Sequence, residues 1–217
     1  MTSSDPNDRR RALREEFWRG VGVPGHTRGP LDDADEPSLW PGGVSSYRHV
    51  ASAHATIVAT DGLSDPGSRD VPGDGGGPGL ELYIESIELT GDDTGAGRWL
   101  VAALEETAGA VAGAAPTVAD ALAEHELLSL EVTGEGAPSE WVSDGRLGVL
   151  LGVRLPGRGT GYEVDGERIH VLSVTPLRPE ELDVITNEGP TGRRRIAEAL
   201  AASGWYSYAD TERPTVP

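Results

Sequence analysis

The 217-residue chain carries 18 basic residues, every one of them arginine, against 36 acidic residues, and its net charge is −18. This charge argues against binding to nucleic acid or to an anionic membrane surface, because both need a basic face on the protein. With no cysteine the chain has no disulfide, thiol nucleophile or thiolate metal site, and it has no apolar run long enough to span a membrane. The polar N-terminus shows no secretory pattern, which predicts a cytoplasmic protein.

The N-terminal part of the sequence predicts one helix followed by an irregular segment. Pro6 suits the first turn of a helix over residues 6–19, in which Leu13, Phe17 and Trp18 lie near one face. Residues 20–46 contain four prolines and are expected to lack regular structure. Their carboxylate cluster is interpreted as a solvated loop and a candidate partner-binding surface, formed by Asp32, Asp33, Asp35 and Glu36. A metal-binding loop is the alternative, although the ligand spacing of an EF-hand is missing.

Two strands are predicted in the next part of the chain. Residues 56–60 form a β-rich run, and residues 80–89 alternate between apolar and polar side chains. This alternation is typical of a strand with one buried face, so Glu81 and Glu85 are expected on the opposite face, in contact with water or with a partner. The glycine-rich residues 70–79 between the two strands predict a long loop.

The remaining elements complete a prediction of a single α+β domain with a mixed or mostly antiparallel sheet. Asp165-Gly166 is a typical hairpin turn, which predicts paired strands within residues 160–174. The N-terminal helix and irregular segment, residues 1–46, and an α+β domain over residues 47–217 are expected to form one globular unit. Periodicity and capping residues predict helices over 96–112, 117–125, 179–187 and 191–202, and strands over 128–132 and 147–154.

The familiar catalytic patterns are missing from the sequence. There is no Gly-x-Ser-x-Gly elbow, Walker loop or His-Glu-x-x-His helix. The glycine-rich run at 73–79 precedes a strand, whereas a phosphate-binding loop opens a helix. The five histidines show no ligand spacing, and 36 carboxylates are too many for any one pair to indicate acid–base catalysis. The sequence therefore predicts a protein without enzymatic activity, cofactor or metal.

One distinctive stretch follows the first predicted strand. It comprises Asp61, Gly62, Leu63, Ser64, Asp65 and Pro66. Gly62 permits a positive φ where the strand ends, Ser64 and Asp65 can bond nearby backbone amides, and Pro66 stops the strand. Asp61 and Asp65 are interpreted as residues that stabilise the turn, with a ligand or catalytic role as the alternative.

The order of these segments resembles the suppressor of fused family. The resemblance lies in a strand, Gly-Leu-Ser-Asp at 62–65, a loop and a Gly-x-Glu-Leu strand from Gly79 to Leu82. A second stretch, residues 171–182, leads from a strand into a helix through Glu180-Glu181-Leu182, and the helix at 99–112 also lies where the family has one. The resemblance covers roughly residues 47–204. Animal members have a further C-terminal domain, whereas this sequence ends shortly after its last predicted helix, and no ligand-contact residue of the family is assigned to a position of this sequence.

The resemblance implies a protein that acts by binding another protein. Animal members hold a transcription factor by pairing its peptide as an added strand, and many bacterial members resemble immunity proteins that block a toxin by direct contact. The hypothesis is therefore a bacterial immunity protein whose acidic surface suits a basic toxin. The alternatives are a small hydrolase with a carboxylate and histidine pocket, and a general interaction scaffold. The sequence leaves the oligomeric state open.

Overall fold

The chain alternates short strands with five α-helices in the residues that the computed structural model describes, 6–31, 38–67, 77–91 and 93–216. The helices are α1 (Pro6–Val21), α2 (Arg98–Gly113), α3 (Ala115–Glu124), α4 (Pro179–Glu188) and α5 (Pro190–Ala202). The strands are β1 (Val23–Arg28), β2 (Tyr47–Ala51), β3 (Thr56–Thr60), β4 (Leu80–Ser86), β5 (Leu128–Thr133), β6 (Arg146–Leu151), β7 (Gly161–Val164) and β8 (Glu167–Leu177).

These eight described strands form one mixed sheet in the order β1-β2-β3-β4-β8-β6-β5, with β7 paired to β8 outside this path. The β4–β8 pair is parallel, and the other pairs are antiparallel. The long strand β8 pairs with β7 through residues 167–170, with β4 through 170–173 and with β6 through 174–177. The segment between β6 and β7, residues 152–160, therefore leaves the sheet and rejoins it alongside β8.

Helix α2 covers one face of the sheet. Its Trp99, Leu100 and Leu104 belong to a core cluster that also contains Leu82 and Ile84 of β4. Burying these side chains fully is worth about 1.5–3 kcal/mol each. This is the face that the alternating pattern of β4 predicted.

The opposite face of the sheet is covered too. Trp18 of α1 packs with Tyr83 and Val171, while Leu200 of α5 packs in a second cluster with Leu150 of β6. Strand β4 is consequently buried along its whole length. The domain thus has three layers, with α2 on one side and α1, α4 and α5 on the other.

Most of the expected elements are confirmed. The predicted sheet strands correspond to β3, β4, β5, β6 and β8, and each predicted helix matches one of α1–α5 within a few residues at either end. Asp165 and Gly166 have φ values of 51° and 88°, so both adopt the left-handed conformation that a two-residue hairpin turn requires. The α+β class and the mixed sheet are therefore as predicted. No helix of the described residues is long and apolar enough to cross a membrane.

The prediction that residues 20–46 are irregular is wrong for β1. Strand β1 pairs antiparallel with β2, and the register of the pair shifts between Pro24 and Thr27 of β1. The sequence pattern did not predict β2 either. An edge position explains how a strand can contain a proline, because the missing N–H is not needed there. The acidic residues Asp32, Asp33, Asp35 and Glu36, and residues 70–76 of the predicted glycine-rich loop, lie outside the described residues.

Candidate functional site

The turn after β3 meets helix α1 at a buried cluster of charges, here called the Arg14 cluster and formed by Arg14, Arg48, Asp61, Asp65 and Glu81. Arg14 Nε lies 2.6 Å from Asp61 Oδ1, and its Nη1 lies 2.9 Å from Asp65 Oδ1 and 3.1 Å from Glu81 Oε1. Arg48 Nη2 lies 2.8 Å from the other oxygen of Asp61. The side chains of Arg14 and Glu81 are 2% and 0% exposed. One arginine of α1 therefore holds the turn and β4 together.

The turn itself supplies further donors to the Glu81 carboxylate. Ser64 Oγ donates a hydrogen bond of 2.7 Å to Glu81 Oε1, the backbone N–H groups of Ser64 and Gly62 lie 3.2 and 3.3 Å from the same oxygen, and Thr60 donates to Oε2. Burial raises the pKa of Glu81, and the charge of Arg14 with these hydrogen bonds acts against the rise. Burial alone would lower the pKa of Arg14, but attraction to Glu81 and to the two aspartates raises it above its ordinary value.

The geometry of Gly62 confirms its expected conformation. Its φ is 125°, and its carbonyl accepts the backbone N–H of Asp65 at 3.0 Å. A Cβ at this position would lie 3.0 Å from Asp65 Oδ2. Asp61 and Asp65 use their oxygens on arginines, which agrees with the interpretation that they stabilise the turn.

Replacing Gly62 with valine is expected to lower the free energy of unfolding by roughly 1–3 kcal/mol, because a β-branched residue is strained at this φ. Chemical denaturation of the variant and the wild type measures the loss. Gly29→Val is the matched control, since Gly29 is exposed, has no positive φ, and a Cβ there would meet no atom within 4 Å, so its stability should change by no more than about 0.5 kcal/mol. A Gly62→Val protein as stable as the wild type would contradict the prediction.

The expectation that Glu81 and Glu85 are exposed is wrong. Glu85 is 0% exposed at its side chain and accepts two hydrogen bonds from Arg158 Nη2, at 3.0 and 2.8 Å, and a third from Ser52 at 3.0 Å. The face of β4 that carries both glutamates is covered by α1 and by the chain around Tyr208. The backbone of Tyr208 forms an isolated β-bridge with the backbone of Glu85. The polar positions of the alternating pattern in β4 therefore form buried ion pairs, and neither the Glu81 nor the Glu85 carboxylate is accessible to a partner.

A histidine and an aspartate also meet, as the hydrolase alternative requires. His49 Nε2 lies 3.1 Å from Asp93 Oδ2, and Arg28 Nε lies 2.5 Å from the same oxygen. His26 stacks on the His49 ring with the ring centres 4.5 Å apart. Both members of the pair are about 95% buried, and neither lines the two cavities described next. In the described residues no group of three potential His, Cys, Asp or Glu ligands could hold a metal ion.

Two adjoining cavities lie where β6 leaves the sheet. The inner cavity, of about 230 Å³, lies beside the 152–160 segment and β8, and the outer groove, of about 410 Å³, lies between this segment and α5. They share five lining residues, which are His125, Glu126, Gly152, Val153 and Arg154. The sequence patterns gave no sign of either cavity, because their walls come from segments far apart in the chain.

Comparison with protein-family models and with curated proteins finds no match for this chain.

Proposed function

We propose that the chain is a cytoplasmic protein-binding domain of the suppressor of fused type, and that it neutralises a basic toxin as an immunity protein. The observation that carries the proposal is the location of the negative charge. Among the described residues, largely buried carboxylates pair with largely buried arginines, as in the Arg14 cluster, the Glu85–Arg158 pair and the Glu181–Arg213 pair. The interior is therefore close to neutral, and the excess charge lies elsewhere in the chain.

The connection between β5 and β6 is one place where this excess reaches the surface. Together with the end of β5, it carries four exposed carboxylates, here called the β5–β6 acidic surface, which are Glu131 of β5 and Glu135, Glu140 and Asp144 of the connection. Strand β5 is at the edge of the sheet, so its outer backbone groups lie beside these charges. A basic partner would be attracted to this edge. Glu106 and Arg146 already bond Thr133 N and Glu131 O of β5, so a partner strand would have to displace these side chains to form main-chain hydrogen bonds along the edge.

The proposal predicts an association rate that falls as salt rises. The Debye length shortens from about 10 Å at 0.1 M to about 3 Å at 1 M, which screens the attraction before contact. The dissociation rate should change less, because it reflects the contacts at the centre of the interface. The partner is first recovered by pull-down from the native host, and surface plasmon resonance then measures both rates across this salt range.

The same measurement locates the surface. A variant with Glu131→Gln, Glu135→Gln, Glu140→Gln and Asp144→Asn should associate about tenfold more slowly at low salt, since steering changes on-rates by factors of 10 or more. The matched control neutralises four other exposed carboxylates, at Glu163, Glu180, Asp183 and Glu212, and should be affected less. The predicted surface at Asp32, Asp33, Asp35 and Glu36 is neutralised in a third variant.

Other results would replace the proposal. An association rate that ignores salt would retain the binding role and remove its electrostatic basis. A partner that is not a toxin would favour the general interaction scaffold. Recovery of no partner, together with turnover of a small molecule that is lost in His49→Gln, would favour the hydrolase.

A further inference from the structure

The inner cavity is lined by positive charge, although the protein as a whole is strongly acidic. Its charged and titratable lining side chains include Arg154, Arg158, Arg168, His125, His170 and Glu126. These three arginines exceed the carboxylates around them, which are Glu126 in the wall and the buried Glu85 paired with Arg158, in a chain that has two acidic residues for every arginine. Such a local reversal of charge concentrates anions in the cavity.

Arg158 is held in place by other residues of the protein. Its Nη2 donates to both oxygens of the buried Glu85 carboxylate, and its guanidinium lies 5.7 Å from the centre of the Tyr83 ring. Its other terminal nitrogen, Nη1, is buried and has no hydrogen-bond partner among the described residues. A buried donor without an acceptor is costly, so a small rotation of the guanidinium that brings Nη1 to the cavity surface would let a ligand oxygen supply the hydrogen bond that the protein alone does not make.

The other two arginines of the cavity, Arg168 and Arg154, also have N–H groups that can bind a ligand. Arg168 Nη2 lies 3.3 Å from Thr160 Oγ1, and Arg154 Nη2 lies 3.4 Å from Glu126, whose side chain is 83% exposed. Both arginines are themselves exposed, so these contacts are weak and exchangeable. Each guanidinium can therefore turn a pair of N–H groups towards an anion.

The wall of the cavity is fixed by hydrogen bonds across the 152–160 segment. Gly152 N donates to Ser173 O at 3.0 Å, Ser173 Oγ donates to Val153 O at 2.8 Å, and Val171 N donates to Thr160 O at 2.9 Å. Both ends of the segment are thereby tied to β8. The wall is therefore preorganised, which reduces the entropy that binding would otherwise lose, whereas Arg154 and Arg168 still have to be ordered by the ligand.

We propose that the inner cavity binds the phosphate group of a small organic phosphate, and that the outer groove accommodates the rest of the molecule. A planar guanidinium group donates paired hydrogen bonds to two oxygens of an anion. A phosphate group has three terminal oxygens and can accept such pairs from more than one arginine, whereas a carboxylate has only two oxygens. The outer groove continues from the shared residues to α5, where Arg193 and Arg194 line it together with Glu198, and Glu124 lies at its other side. This site is independent of the proposed acidic binding surface.

Isothermal titration calorimetry of the full chain tests the proposal. The probes are inorganic phosphate, a nucleoside diphosphate and acetate, each at the same ionic strength. Phosphate and the diphosphate should bind and acetate should not. Arg168→Gln should weaken binding of the diphosphate about tenfold, the effect of losing one charge-assisted hydrogen bond. Arg11→Gln removes the same charge from an exposed position on α1 and should change affinity less than about twofold.

A second variant, Arg158→Lys, separates loss of the binding site from loss of the fold. Arg158→Lys keeps a positive charge beside Glu85 but loses the planar fork, so a folded variant with weakened diphosphate binding supports the proposal. Tighter binding of the diphosphate than of phosphate supports an organic ligand, whereas equal affinities overturn the role of the outer groove. If neither phosphate nor the diphosphate binds at concentrations up to about 10 mM, the affinity is negligible and the proposed site is overturned. Equal binding of acetate, or equal losses in Arg168→Gln and Arg11→Gln, also overturns it.

Discussion

Replacing Arg14 with methionine is expected to lower the free energy of unfolding by about 3–5 kcal/mol, because it leaves a buried carboxylate without its cation. Glu81 is fully buried, and Arg14 is the arginine that contacts it. Asp61 and Asp65 lose the same partner, although Arg48 still pairs with Asp61. Urea denaturation monitored by tryptophan fluorescence measures the loss, since Trp18 lies on the same helix.

Two further variants separate this effect from a general effect of mutating α1. Arg11→Met removes an exposed arginine from the same helix and should change stability by no more than about 0.5 kcal/mol. Arg14→Met combined with Glu81→Gln should be less destabilised than the sum of the two single variants, because the uncompensated charge is gone. An Arg14→Met protein that unfolds at the same denaturant concentration as the wild type would refute the role of the cluster.

The second large effect is expected at the C-terminal segment. Arg213 lies on Glu181 through two contacts, 2.6 Å from Nη1 to Oε1 and 2.7 Å from Nη2 to Oε2, and both side chains are almost completely buried. Glu181 also accepts the backbone N–H groups of Arg178 at 2.9 Å and of Val216 at 2.8 Å. Arg213→Met should therefore destabilise the domain by about 3–5 kcal/mol.

The matched control is a surface ion pair on the neighbouring helices. Arg195 Nη1 lies 2.8 Å from Glu188 Oε1, and its side chain is 53% exposed. Arg195→Met should cost no more than about 1 kcal/mol, because water solvates the remaining carboxylate. Thermal unfolding of both variants compares them directly, and similar melting temperatures would show that burial does not strengthen the Glu181–Arg213 pair.

The candidate site was only partly predictable from the sequence. Gly62 and the turn around it follow from local residue types, since glycine at a strand end favours a positive φ in any fold. The partner of this turn, Arg14, had a weaker signal. It lies three and four residues before Phe17 and Trp18, so it shares the apolar face of its helix, where a charge needs a buried partner. The identity of that partner depends on how α1 packs.

The sequence by itself determined most of the local elements of this protein, though not β1 and β2, and the excess of negative charge. Periodicity and turn residues are properties of neighbouring positions, which is why β3, the hairpin at Asp165-Gly166 and the five helices were predictable. The resemblance to the suppressor of fused family and the binding function remain predictions. Only the tertiary structure decided whether Glu81 and Glu85 are buried or exposed. Alternation shows that a strand has an apolar and a polar face, but it does not show whether the polar face is in contact with water. Helix α1 and the C-terminal segment cover that face, and the arginines that reach it, Arg14 and Arg158, make burial of the two carboxylates possible.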